Sequence, residues 1–513
     1  MNRIVSAFPA FTAIGVGRSI PFASVVRSDI AAFQRTLADA MTRGCRLVSL
    51  FAMPEPNAPA EMPLTAVAIL ADDFGSLLYA GRTSIADSYP SMAADFPQVQ
   101  LFERELAEQC GIIVTGHPWL KPVRFAPRLY SGPDHPSTAP SVCGDMEFYQ
   151  VKGAEVHEVA VGPVHAGVIE PGHFRFQCHG ENIFHLEISL GYQHRGVERA
   201  MIGASPARAF SFAQTLCGDT TIGHTTAYCQ IIEALSDCRK SARAQSLRGI
   251  ALELERLANH VGDLGAISGD VGFLPTASFC GRLRGEFLNM TAMLCGNRFG
   301  RDMLRPGGVQ FDLDRQLTDQ LQHRLEKSAA EARQAIELMW NSPSTMARLD
   351  DTGRLDPLDA AQLGVVGPMA RACNLPRDAR HDHPTGIFRF VHIPPATWAT
   401  GDVFARAFVR WLEIRRSTEF IAGQLAGLPE GDTCSALSAL APDHLAVTLV
   451  EGWRGEICHV ACTDSAGRLF RYKVVDPSFH NWPAVGMALR GQEISDFPLC
   501  NKSFNLSYCG HDL

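Results

Sequence analysis

No two of the fifteen cysteines stand at C-x-x-C spacing, so the usual way of presenting thiolates to a metal in pairs is missing. No run of 18 or so uninterrupted apolar residues occurs, and the sequence offers no segment that would cross a bilayer. Basic residues are not in excess: 46 Lys and Arg stand against 54 Asp and Glu, which argues against a dedicated nucleic-acid module. A glycine-rich dinucleotide loop between a strand and a helix is also lacking, so nicotinamide use would reside elsewhere. A signal peptide over 1–17 is discounted, because Pro9 and Gly15 interrupt the apolar stretch and only Arg3 precedes it. The fifteen cysteines are thin over 513 residues, and a chain of that length builds a core without disulfides. A reducing, cytosolic setting follows as the expectation.

What is present is a large core, with 46% hydrophobic and 19% charged residues. Ile30, Phe33, Leu37 and Met41 fall at helical spacing, Leu64 to Leu70 reads as a buried strand, and Phe102 to Cys110 reads as a helix. A Pro/Gly/Ser-rich stretch over 131–140 reads as a linker. Beyond it, strand-like segments over 159–168 and 174–190 precede long helices. Leu247, Ile250, Ala251, Leu254, Leu257, Ala258 and Val261 make one apolar face, with Arg248, Glu255 and Arg256 off it. Leu313, Leu317, Leu321 and Leu325 begin a second such face, and Phe404, Phe408, Trp411 and Leu412 a third. Residues 456–462 and 468–475 flank Asp464-Ser-Ala-Gly467 as a hairpin, which puts Cys458, Val460 and Cys462 on one strand face as packing residues. The titratable run Arg377-Asp-Ala-Arg-His-Asp-His383 has no second His/Cys cluster to pair with and reads as a solvated loop.

Several motifs carry more. Gly162-Pro-Val-His165, Tyr192 to Glu198, Glu253 to Leu257, Arg305 to Val309, Gly364 to Arg371, Arg454-Gly-Glu456 and Asp476 to Trp482 appear in that order. Upstream stand Asp95-Phe-Pro97, Glu103-Arg-Glu105 and Gly116 to Pro122. In order and spacing the chain resembles a fusion of the thirty- and forty-nine-kilodalton (C and D) subunits of respiratory complex I. It equally resembles the large subunit of group 4 nickel–iron hydrogenases, of the formate hydrogenlyase and hydrogenase-4 type. The fold this implies is α+β: a small N-terminal α/β domain over 1–135, a linker over 136–155, and a helical bundle with β structure at both ends over 156–513.

The resemblance also implies a set of site residues, and here the chain departs from the pattern. Such hydrogenases hold nickel and iron by two C-x-x-C pairs. Cys217 matches the first position, but Thr220, Ser507 and Gly510 stand at the other three. A hydroxyl or a glycine does not replace a bridging thiolate, so a degenerate nickel site is expected. Cys217, Cys500, Cys509 and His511 are an alternative four-ligand set, weighed against simple packing cysteines. In complex I a loop histidine and a tyrosine hold the quinone headgroup. Here the loop position is Ile169, 216–220 contains no tyrosine, and His173 is the substitute to weigh against an ordinary surface histidine.

Glu198 and His224 survive as catalytic candidates. Glu198 corresponds to a proton-passing glutamate that needs a raised pKa; the competing reading pairs it with Arg195 or another cation. His224 corresponds to a residue beside the metal site, or simply donates a hydrogen bond across a vestigial cavity. The implied function is the large, catalytic-type subunit of a membrane-associated redox complex. It would pass electrons from an iron–sulfur cluster in a small partner subunit to a quinone-like or unidentified acceptor, with ion-translocating membrane subunits beneath it. That places it on the inner, cytoplasmic face of the membrane, with no transmembrane segment, no nucleic acid and no cofactor bound by a usual motif. A non-catalytic scaffold or coupling subunit, and a true nickel–iron hydrogenase, are the alternatives.

Overall fold

The computed structural model describes residues 8–55, 64–130, 142–165 and 169–513. The linker expected over 131–140 and the first residues of the discounted signal segment lie outside the described residues.

The N-terminal sheet contains β1 (Thr12–Ile14), β3 (Val26–Ser28), β4 (Arg46–Met53), β5 (Leu64–Asp72) and β6 (Leu77–Ile85), in the order β1-β6-β5-β4 with β3 beside β6. Strand β2 (Arg18–Pro21) leaves this sheet. A small pair, β7 (Ser88–Pro90) with β8 (Ile113–Thr115), completes the unit, which carries helices α1 (Ile30–Thr42) and α2 (Gln100–Cys110). Asp29 starts α1 by accepting a hydrogen bond from Ala32 N at 2.8 Å. Gly111 ends α2 in the left-handed region.

The larger part opens with an antiparallel sheet of β9 (Val156–Val161), β10 (His173–His179) and β11 (Asn182–Ser189). Short helices α3 (Val197–Met201) and α4 (Pro206–Ala213) lead into α5 (Thr221–Leu235), α6 (Ala242–Asp270) and α7 (Leu274–Cys295). The ribbon β12 (Leu304–Arg305) with β13 (Gly308–Val309) precedes α8 (Arg315–Trp340). Four short helices follow: α9 (Pro343–Leu349), α10 (Pro357–Gln362), α11 (Gly367–Ala372) and α12 (Ala379–Asp382). The long α13 (Val403–Ala426) comes next. Strands β14 (His444–Gly452), β15 (Gly455–Thr463) and β16 (Leu469–Val475) then lead into α14 (Pro477–Ala488), α15 (Phe497–Phe504) and α16 (Tyr508–Asp512). The architecture is α+β, as expected, and the 456–475 hairpin is present as β15 and β16.

The C-terminal sheet runs β16-β15-β14-β2, so a strand from the N-terminal segment closes a sheet built by the end of the chain. The packing follows suit. Leu445, Val447, Leu449, Cys458, Val460 and Cys462 share one hydrophobic cluster with Phe51, Val67, Phe102 and Leu106 of the N-terminal unit. The opposite face of β15, with Ile457 and Ala461, joins the helical-bundle core. The two parts are therefore held by a shared apolar core on either side of one sheet.

Two charged segments are buried. Arg248, Glu255 and Arg256 lie off the apolar face of α6, yet all three are buried. The helix is central, packed by α7, α13, α15 and β13, so it has no solvent face for its charges. The two arginines are paired instead, Arg248 with Glu233 at 2.6 Å and Arg256 with Glu413 and Glu253, while Glu255 accepts backbone N–H groups of α5. The 377–383 run is not a solvated loop either. Asp378, Arg380 and His383 are buried, and Arg380 joins Asp378 (2.6 Å), Glu253 (3.0 Å) and Glu413 (2.7 Å). Buried charges persist only when paired in this way.

Candidate functional site

The four positions at which the resembling hydrogenases place thiolates come together in space. Cys217 lies in the loop ahead of α5, and Ser507 caps α16 by accepting a hydrogen bond from Gly510 N at 2.9 Å. The Ser507 hydroxyl also lies 3.1 Å from the Cys217 sulfur and 3.4 Å from the Cys509 sulfur. Gly510 has no side chain, and the space is taken: a Cβ there would come within 2.7 Å of the Asp476 carboxylate. Thr220 accepts hydrogen bonds from Trp453 Nε1 (3.1 Å) and Arg454 Nη1 (3.4 Å). Arg454 fills the remaining space. It forms a forked pair with Asp219 at 2.6 and 2.8 Å, reaches the Cys217 sulfur at 3.5 Å, and stacks on Trp453.

Burial would raise the Asp219 carboxyl, but the Arg454 guanidinium beside it wins and holds it at about 2. The Cys217 thiol donates to Asp219 Oδ1 at 3.1 Å; the neighbouring Cys509 sulfur first, then burial, pushes the Cys217 thiol well up, and Cys217 in turn pulls Cys509 down.

The alternative ligand set does not assemble. Cys500 packs in another cluster, against Arg406 (3.9 Å) and within the core that holds Trp482 and Phe504. His511 pairs with Asp512 at 2.9 Å and stacks on Phe479. Among the described residues, no group of three or more His, Cys, Asp or Glu side chains is placed to hold a metal ion.

His224 is fully buried on α5. Its Nε2 lies 3.0 Å from Asp476 Oδ2, and its Nδ1 lies 3.1 Å from His459 Nε2. His459 Nδ1 in turn lies 2.8 Å from the Tyr472 hydroxyl. Asp476 owes its position to α14, whose first turn it caps at Ser478 N. Burial raises Asp476, but His224, Ser478 and the Arg454 charge together outweigh it and leave it below the usual range. His459 is held neutral, by burial first and by His224 second. The result is a chain of four hydrogen-bonded groups starting beside Gly510. With Asp476 ionised, the orientation in which each group donates toward it closes every bond; one added proton reverses the donors in sequence. Such a chain can pass a proton along its length.

Glu198 follows the competing reading, paired with cations other than Arg195, and not the proton-passing one. Its pKa is not raised. Burial would raise it, but Lys473, Arg471 and Arg124 hold it well below the carboxylate range. Its partners are Arg471 (2.9 Å), Lys473 (3.0 Å) and the backbone N–H of Val474 (3.0 Å) on the edge strand β16. Arg195 is occupied elsewhere, donating to the carbonyls of Thr215 and Leu216. Because Lys473 also pairs with Glu105 of α2 at 2.6 Å, Glu198 ties α3, β16 and the N-terminal unit together.

The motif around Glu198 also cradles the last residues. Asp512 accepts from Gly191 N and Gln193 N, both at 2.9 Å, and the Leu513 carbonyl accepts from Arg195 N (2.8 Å) and Gly196 N (3.1 Å). His173, the quinone-ligand substitute, is buried rather than superficial. Its Nδ1 faces the Gly162 carbonyl at 2.9 Å and its Nε2 accepts from Arg175 at 3.4 Å, so neither nitrogen is offered outward. Ile169 is exposed. Gly162 sits at φ +75, where a Cβ would collide with the Gly172 carbonyl.

Sequence reasoning missed Arg454, Asp219, Asp476 and His459. The motifs Arg454-Gly-Glu456 and Asp476 to Trp482 marked two of them without a role. Glu255 was also passed over: its oxygens accept Ile222 N (2.7 Å) and Gly223 N (3.0 Å) at the start of α5, and burial lifts it to about 8.

Comparison with known proteins agrees with this frame. Residues 270–444 match the family of the respiratory-chain NADH dehydrogenase 49 kDa subunit. Formate hydrogenlyase subunit 5 of Escherichia coli is 30% identical over 437 residues, covering 82% of this chain and 76% of that protein. The carbon monoxide-induced hydrogenase of Rhodospirillum rubrum is 29% identical over 350 residues, 68% of this chain and 97% of its own length. A D-type subunit of the NADH-quinone oxidoreductase of Solibacter usitatus is 27% identical over 338 residues, 66% and 91% respectively. Among the described residues no helix is long and apolar enough to cross a membrane. The chain thus belongs to the 49 kDa-subunit family of oxidoreductase complexes, together with formate hydrogenlyase subunit 5 and the D-type subunits of NADH-quinone oxidoreductase.

Proposed function

We propose that this chain is the large, catalytic-type subunit of a membrane-associated complex of the complex I and hydrogenase-4 kind. It passes electrons from an iron–sulfur cluster in a small partner subunit to a quinone-like acceptor, without a nickel–iron centre. Ion-translocating membrane subunits lie beneath it, and the complex sits on the cytoplasmic face of the membrane. The observation that carries the reading is the chemistry of the four thiolate positions. One holds a thiol, two hold hydroxyls, and the glycine at the fourth faces a carboxylate already bonded to His224. Arg454 and Asp219 take up the space beside them. This donor set does not fit a nickel–iron pair, which needs soft bridging thiolates.

Reduction of a quinone takes two electrons and two protons. The Asp476–His224–His459–Tyr472 chain is of the right kind to deliver protons, and His224 is its centre. Glu198 serves as an anchor rather than a proton carrier, because two cations hold it ionised. One observation favours a second reading, a scaffold or coupling subunit: Glu198 and both nitrogens of His224 are fully engaged by protein partners.

The experiment is nickel and iron analysis of the complex purified from its native membranes, followed by single-turnover reoxidation of the reduced partner cluster by quinone. The proposal expects nickel near zero, and reoxidation lost in an assembled His224→Gln complex. Unchanged reoxidation in that variant would establish the scaffold. Nickel near one per chain would overturn both readings.

A further inference from the structure

Cys217 and Cys509 come from two segments that nothing covalent joins nearby. Cys217 is buried in the loop ahead of α5; Cys509 is half-buried in α16. Both sulfurs touch the Ser507 hydroxyl, at 3.1 and 3.4 Å, and the Cys217 thiol donates to Asp219 Oδ1 at 3.1 Å. Cys458, Cys462 and Cys500 lack this arrangement: the first two are packed on a strand face against apolar side chains, and Cys500 faces Arg406. The segment that carries Cys509 has no covalent tie to its neighbours and is held by the packing of Tyr508 and Leu513 and by hydrogen bonds. Arg195 Nη2 donates to the Cys509 carbonyl at 3.3 Å, Arg124 Nε to the His511 carbonyl at 2.8 Å, and the 191–196 loop to Asp512 and Leu513.

We propose that Cys217 and Cys509 are a redox pair that closes to a reversible disulfide when a hydroperoxide reaches the more exposed sulfur, fastening α16 to the loop ahead of α5. The steps balance with hydrogen peroxide as the oxidant. The Cys509 sulfur attacks the peroxide, an S–O bond forms, the O–O bond breaks, and the departing oxygen leaves as water. The Cys217 sulfur then attacks the Cys509 sulfur, the S–S bond forms, the S–O bond breaks, and the released hydroxide takes the Cys217 proton as a second water. Two thiols lose two electrons and one peroxide gains them. The order of attack follows from access, since Cys509 is half-buried and Cys217 is enclosed. A second thiol on the far side of the shared Ser507 hydroxyl makes the disulfide the next species after the sulfenic acid. Closure moves the Ser507 hydroxyl aside and leaves the backbone strap of 509–513 in place. The inference goes beyond the electron-transfer reading and does not rest on it.

The test is peptide mapping of the purified complex after a short exposure to hydrogen peroxide. Free thiols are blocked with N-ethylmaleimide in denaturant, and digestion is done without reductant. The peptides carrying Cys217 and Cys509 are expected as one cross-linked species that dithiothreitol separates. In Cys217→Ser, Cys509 is expected to stop at a sulfenic acid that dimedone traps. In Cys509→Ala, at the more exposed position, Cys217 should remain alkylatable after peroxide. Amide exchange over 508–513 should slow by about tenfold on oxidation of the unsubstituted chain and not in either variant. Recovery of the two peptides as separate species after peroxide, with Cys509 either alkylated or over-oxidised to a sulfinic acid, would overturn the proposal.

Discussion

Replacing Glu198 by Gln tests whether this carboxylate is an anchor. The buried group around it comprises two carboxylates, Glu105 and Glu198, and three cations, Arg124, Arg471 and Lys473. The substitution leaves one carboxylate among three cations. A Gln oxygen can still accept from Val474 N, but its amide then faces the Arg471 guanidinium, donor against donor. Removing one partner from a buried ion pair costs about 3–5 kcal/mol. A chain of this size does not unfold in one step, so the readout is native-state hydrogen exchange at the amides of α3 and β16. Exchange there should accelerate by roughly two to four orders of magnitude, at about 1.4 kcal/mol per tenfold. Adding Lys473→Met removes one of the surplus cations and should recover more than half of the loss. Exchange in Glu198→Gln within about threefold of the original rate would refute the reasoning, because only a neutral carboxylic acid could be replaced so cheaply.

Arg454→Met strands Asp219 without its partner and exposes the loop ahead of α5; local stability should fall by about 3 kcal/mol, read as faster limited proteolysis between Gln214 and Thr221, and an unchanged cleavage rate would contradict it. Gly510→Ala places a methyl carbon 2.7 Å from Asp476, so the chain should lose about 1–3 kcal/mol and the Asp476–His224 contact should lengthen beyond 3.0 Å in a structure of the variant. The buried imidazole of His480 is held down to about 4, by burial first, against 6.5 when unfolded. The unfolded chain therefore takes up this proton first, and stability falls as pH drops from 6.5 toward 4, by about 3 kcal/mol in total. Replacing His480 by Asn should flatten that part of a stability-versus-pH curve.

Much of the fold was legible because it rests on periodicity. The apolar faces of α6, α8 and α13 and the alternation in β15 are local patterns, and local patterns survive without knowledge of the partner. The same patterns left open where Arg248, Glu255 and Arg256 go. A helix wheel shows which side is apolar, and it does not show that the other side is covered as well. The candidate site was legible only in part. The ordered motifs marked Cys217, Glu198 and His224, whereas Asp476, His459 and Arg454 meet them from more than 200 residues away along the chain.

By itself the sequence determined the α+β architecture, the family resemblance and the lack of three of the four thiolates, because these depend on residue type and order. Only the tertiary structure decided what occupies the space those thiolates leave: the Asp476 carboxylate beside Gly510 and the Arg454–Asp219 pair beside Cys217. It also decided that Glu198 is an ionised anchor, for the charge on a buried carboxylate is set by the cations that surround it, and here they come from β16 and from the N-terminal unit.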